Sequence, residues 1–184
     1  MKWKPMFVIV CCLCTLIPRL VLADATVSLE NVSGETGTDV VVPVTLSSNT
    51  QDVAAMNFTV TYDPNALEYA SMVGTDVLVD AEKEIRLNTP IAGQLNVVIY
   101  GINQNAISDG VIAYITLTIR NSAGEQSVAL DLDGLVACSG DAQSIDSTAV
   151  DASVTCSLGS ETDPSEDGSS SGSGGGCFIN TAAF

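Results

Sequence analysis

An all-β sandwich or barrel is the fold class that this 184-residue chain predicts, on three observations. Segment 53–62 alternates strictly, with Ala54, Met56, Phe58, Val60 and Tyr62 set against Ala55, Asn57, Thr59 and Thr61. Successive strand side chains point to opposite faces, so the first set can fill a core while the second meets solvent or a partner. Second, short apolar runs recur between turn residues over most of the chain, as in an antiparallel sandwich. Third, no segment carries a helical period beyond a single turn at 103–107.

Taken in order, segment 26–31 alternates. Segment 39–46 places Val40, Val42, Val44 and Leu46 on one face and Val41, Pro43 and Thr45 on the other. Proline cannot donate to a ladder, so Pro43 marks an edge strand or a bulge. The 53–62 strand stops at Asp63-Pro64-Asn65, where proline fixes φ and its neighbours favour a turn. Further strands are expected at 67–73, 77–79, 84–87, 95–100, 111–120, 128–138 and 150–156. In the 111–120 run, Val111, Ala113, Ile115, Leu117 and Ile119 are expected inside, and Ile112, Tyr114, Thr116 and Thr118 outside. About 130 residues are enough for a two-sheet core.

Both ends differ from this middle. Residues 1–23 have the layout of a cleavable secretory signal: Lys2 and Lys4, an apolar run from Met6 to Ile17, then Val21-Leu22-Ala23. A membrane anchor is the rival, but the run is short and broken by Pro18 and Arg19, so no stable span is expected after removal. Cleavage leaves three of the six basic residues against all 22 acidic ones. Such a surface repels nucleic acid and anionic membrane. Residues 159–176 form an acidic, then Gly/Ser-rich linker that cannot build a core. An apolar tail, 177–184, follows. Cys138 and Cys156 are the candidate disulfide, which would stabilise the domain by ~3 kcal/mol in an oxidising compartment. Cys177 is then the odd thiol.

Much chemistry is absent. There is no histidine, which excludes Ser-His and Cys-His nucleophile pairs and histidine metal sites. Asp63 with Glu68, and Asp131 with Asp133, lie too close in sequence to flank a glycosidase cleft, so the chain is read as non-catalytic. Asp131-Leu132-Asp133-Gly134 and the acidic stretch 163–167 offer oxygens, yet neither completes a twelve-residue calcium loop. No metal or other cofactor is expected on this chain.

Three blocks carry a family likeness: Thr38–Leu46 (TDVVVPVTL), the 53–68 segment ending Tyr62-Asp63-Pro64-Asn65-Ala66-Leu67-Glu68, and Ser108-Asp109-Gly110-Val111-Ile112-Ala113. Over residues 25–157 the chain resembles the cohesins, the receptors that anchor dockerin-bearing proteins in cellulosome-type assemblies. The resemblance implies a nine-stranded, two-sheet β-sandwich of jelly-roll topology. It also implies an extracellular or cell-surface bacterial scaffolding role, with calcium on the dockerin partner. The expected partner-binding residues are Ala55, Asn57, Thr59 and Thr61, with Tyr100, Tyr114 and Thr116 nearby. Ala55 and Asn57 stand where the family is usually polar or acidic. The tail resembles the short Cys-Phe-Ile box near the C-terminus of some exported bacterial proteins.

The alternative is a carbohydrate-binding module recognising polysaccharide through the sandwich face. Sugar platforms need several exposed aromatics. Only Tyr69, Tyr100 and Tyr114 are expected outside the core, because Trp3 leaves with the signal.

Overall fold

The computed structural model describes residues 24–159. The predicted signal, nearly all of the linker, and the Cys-Phe-Ile tail lie outside the described residues. Those residues form β1 (Ala25–Leu29), β2 (Val32–Glu35), β3 (Asp39–Ser47), β4 (Val53–Tyr62), β5 (Leu67–Gly74), α1 (Asp76–Asp80) and β6 (Glu84–Asn88). β7 (Gln94–Tyr100), β8 (Gly110–Ile119), β9 (Gln126–Ser139), β10 (Ser144–Ile145), β11 (Ser147–Val150) and β12 (Ala152–Ser157) follow. One sheet has five strands in the order β11-β1-β3-β8-β5; the other has seven, ordered β2-β12-β9-β4-β7-β6 with β10 on β9. This is the predicted two-sheet sandwich. Setting aside the short β2, β10 and β11, of 4, 2 and 4 residues, leaves nine strands.

Alternation builds the core as expected in β3, where Val40, Val42, Val44 and Leu46 are buried, and in β4, where Met56, Phe58 and Val60 are. Phe58 belongs to one buried cluster with aliphatic residues from both sheets, including Leu95, Ile99, Ile115 and Leu130. Each fully buried side chain of this kind contributes about 1.5–3 kcal/mol.

Where the pattern fails, a bulge or corner explains it. Between β3 and β8, Val44 faces Ala113 and Thr45 faces Val111, which leaves Ile112 as the extra residue. Ile112 therefore turns into the core and Val111, expected inside, is only half-buried. The two carbonyls displaced by this slip are satisfied: Thr75 donates its hydroxyl to Val111 O at 2.6 Å and its N–H to Ile112 O at 3.0 Å. Pro43 lies on an interior strand, next to this bulge and not on an edge.

Segment 77–79, expected as a strand, belongs to α1. Its first turn closes when Leu78 and Val79 donate to Thr75 O, and Asp76 complements the helix N-terminus. The helical turn expected at 103–107 does not form, because Asn103 Oδ1 takes the Asn105 N–H and Val53 O takes that of Ile107. Segment 150–156 is two strands, not one. Asp151 accepts the Leu132 N–H and Asn31 accepts the Ser153 N–H, so side chains replace the ladder where the chain crosses between sheets.

The expected Cys138–Cys156 disulfide is absent; both thiols are free. Cys156 faces the core and pairs with Gln126, the first residue of β9. Cys138 lies at the other end of that strand, opposite Ala55. At ~3.3 Å per residue the two are of order 35–40 Å apart, far beyond disulfide reach.

Candidate functional site: the outer face of the seven-stranded sheet

β4 lies between β9 and β7, so its outward side chains form the middle row of a surface. Ala55, Asn57, Thr59 and Thr61 point out of the sandwich. On one side they face Cys138, Val136, Asp133 and Asp131 of β9; on the other, Asn57, Thr59 and Thr61 face Val98, Asn96 and Gln94 of β7. Beyond β7, Arg86 and Glu84 of β6 pair with Val98 and Tyr100.

Three features give this face its chemistry. Val98, Tyr100 and Val136 are exposed by 43%, 37% and 47%, and two of them flank Asn57 directly. Polar groups around them are held in place. Thr59 donates to Asn96 Oδ1 at 3.2 Å, and Gln94 donates to the same oxygen at 3.1 Å. Charge is confined to the flanks, with Asp131 and Asp133 on one side and the Arg86–Glu84 pair, 3.0 Å apart, on the other. Arg86 Nε donates to the Tyr100 hydroxyl at 3.3 Å, which fixes the ring at the rim and pushes the guanidinium pKa further up.

The centre also contains a bulge. Between Asn57 and Thr59, the β9 partners jump from Val136 to Asp133, and Gly134 adopts φ +62°. That left-handed conformation suits glycine. Asn57 Nδ2 donates to Gly134 O at 3.4 Å, so the side chain at the middle of the face is tied to the irregular strand beside it.

The structure separates the expected site residues. Ala55, Asn57, Thr59, Thr61 and Tyr100 share this face. Tyr114 and Thr116 do not: they lie on β8, in the five-stranded sheet, and point away from the opposite side of the sandwich. Tyr114 there faces Pro43 and Val73. β4 and β8 have the same sequence design, and only the strand order assigns them to different sheets. The tyrosines expected to be exposed therefore share no platform, and Tyr69 is half-buried against the core. Sequence reasoning did not assign β9 to the face. The signal was the Asp133-Gly134 interruption within its alternating run.

A cohesin domain profile matches residues 25–156. The chain is 29% identical over 114 residues to the cellulosomal-scaffolding protein A of Acetivibrio thermocellus, a match covering 58% of this chain and 6% of that much longer protein. Among solved structures, the sixth cohesin of Acetivibrio cellulolyticus scaffoldin B, in complex with a mutant Cel5 dockerin, superimposes with a TM-score of 0.66. It is 24% identical, over 73% of this chain and 99% of that one. A non-cellulosomal cohesin from the archaeon Archaeoglobus fulgidus gives a TM-score of 0.60 at 21% identity, over 73% and 91% of the two chains. The profile match spans nearly the whole sandwich, from β1 into β12, and on that ground the chain belongs to the cohesin family.

Proposed function

We propose that this domain is a non-catalytic docking module that captures a dockerin-bearing protein on the outer face of its seven-stranded sheet. The observation that carries the reading is the neutral, apolar centre around Asn57, formed by Val98, Val136 and Tyr100 on a strongly acidic chain. Apolar or aromatic anchors ringed by polar groups are the common anatomy of a protein interface. The solved relative bound to a dockerin supplies the partner class. Calcium belongs to the partner in this reading. The segment 1–23 exports the chain, which then acts outside the cell as part of a scaffolding or anchoring assembly.

Residues 24–158, immobilised and exposed to extracellular extract of the source organism with calcium present, should retain a dockerin-containing protein and release it into chelator. Recovery of polysaccharide with no protein would overturn this and favour the carbohydrate reading.

A further inference from the structure

Away from the docking face, one cluster is arranged for a reaction. Lys83 is the buried charged side chain among the described residues, 7% exposed. It precedes β6, while Asn103 lies just beyond β7, so the two meet at the open end of the β6–β7 hairpin. Lys83 Nζ donates to Asn103 Oδ1 at 2.6 Å and to the Asn103 backbone carbonyl at 3.2 Å. The same Oδ1 also accepts the Asn105 N–H at 3.2 Å. On the other side of the amide, Asn103 Nδ2 donates to Glu82 Oε2 at 3.0 Å.

The amine and the carboxylate thus meet the Asn103 amide from opposite sides, the amine at Oδ1 and the carboxylate at Nδ2. Glu82 is held at φ +53°, a left-handed backbone that costs a non-glycine residue of order 1 kcal/mol. Gly101 packs so closely that a Cβ there would lie 2.9 Å from Lys83 Cδ, so the backbone lines the lysine stem. Burial also pushes the Lys83 pKa down, against the opposing pull of Glu82. A desolvated lysine is the usual source of a neutral amine nucleophile.

We propose that Lys83 and Asn103 join in an intramolecular isopeptide bond, with Glu82 as the proton carrier. Lys83 loses a proton to water, and the neutral amine attacks Cγ of Asn103. Negative charge collects on Oδ1, where the Asn105 N–H is already aimed, as a preorganised donor should be. The Nζ–Cγ bond forms and the Cγ–Nδ2 bond breaks. Glu82, already against Nδ2, hands protons to the leaving group, which departs as ammonium. Two of the three lysine protons reach Glu82 and Nδ2 by way of water, and the third stays on the new amide. Nothing is oxidised or reduced, and no co-reactant is consumed. Contact between the reacting groups in the folded state replaces a bimolecular encounter.

The product would close a covalent ring across the base of the β6–β7 hairpin. That hairpin is the outer edge of the docking sheet and carries Tyr100, Val98 and Arg86. A covalent base would resist peeling of this edge when a captured partner is pulled.

The test is the intact mass of the full chain under denaturing conditions, together with a tryptic map. The expected result is a chain lighter by one ammonia and a branched peptide joining Lys83 to Asn103, with no cleavage after Lys83. Lys83→Arg, which keeps the charge, and Glu82→Gln, which keeps a hydrogen-bonding group, should both restore the unlinked mass in variants whose folding is checked by circular dichroism. A wild-type chain of full mass after long incubation, cleaved normally at Lys83, would overturn the proposal and leave Lys83 as a non-covalent pin. So would an ammonia deficit that persists in Lys83→Arg.

Discussion

Replacing Val98 and Val136 together by threonine removes the apolar centre of the docking face at almost constant shape. Fully burying a valine is worth about 2 kcal/mol. With 43% and 47% of their surface still exposed, each has about 0.9 kcal/mol left to gain from a partner. A threonine hydroxyl buried without a mate adds up to about 1 kcal/mol of penalty per site. The double variant should therefore lose about 2–4 kcal/mol of binding, or roughly 30- to 800-fold in Kd. Both positions are exposed on strands that threonine suits as well as valine does, so Tm should stay within about 2 °C of wild type. Titration calorimetry against a calcium-loaded dockerin measures the first quantity, and a thermal melt the second. Tyr114→Ala, on the opposite sheet, is the control and should leave affinity unchanged. A double variant binding within about two-fold of wild type, or an equal loss in Tyr114→Ala, would refute the assignment of the face.

Two glycines with left-handed backbones should respond differently to alanine. Gly134 has open space around its missing Cβ, so Gly134→Ala should cost only the backbone strain of ~1–2 kcal/mol in denaturant unfolding. At Gly93 a Cβ would also lie 2.5 Å from Tyr62 O, so Gly93→Ala should cost clearly more; equal costs would show that the close approach is not felt. The two free thiols of the sandwich can be told apart in residues 24–184 carrying Cys177→Ser. Half-buried Cys138, on the outer face, should react with a thiol reagent in the native state. Core-facing Cys156, whose pKa burial pushes up, should react only after unfolding. Loss of both reactivities under non-reducing denaturation would mean that the two are bonded after all.

The sequence made the sandwich legible because a two-residue period is a local property. Val40 to Leu46 and Met56 to Val60 could be sorted into faces without knowing which strand lies beside which. Local reading failed at Ile112, where one extra residue inverts the facing, and at Val77 to Val79. There the Thr75 carbonyl takes two amides into a helical turn instead of leaving them for a ladder. It failed again for Cys138 and Cys156: Cys138 lies near one end of the 14-residue β9, and Cys156, on β12, pairs with the other end.

By itself, then, the sequence determined the fold class, the inner and outer rows of β3 and β4, and the family likeness. The fold class and the two rows follow from residue type and spacing along the strands, and the likeness from three blocks that resemble a known family. Only the tertiary structure decided that Asn57 shares a surface with Val98 and Val136 while Tyr114 does not. Only the fold sets the Asn103 amide between the Lys83 amine and the Glu82 carboxylate. Strand order is settled by long-range pairing and by bulges such as Gly134, and neither leaves a periodic mark within a single strand.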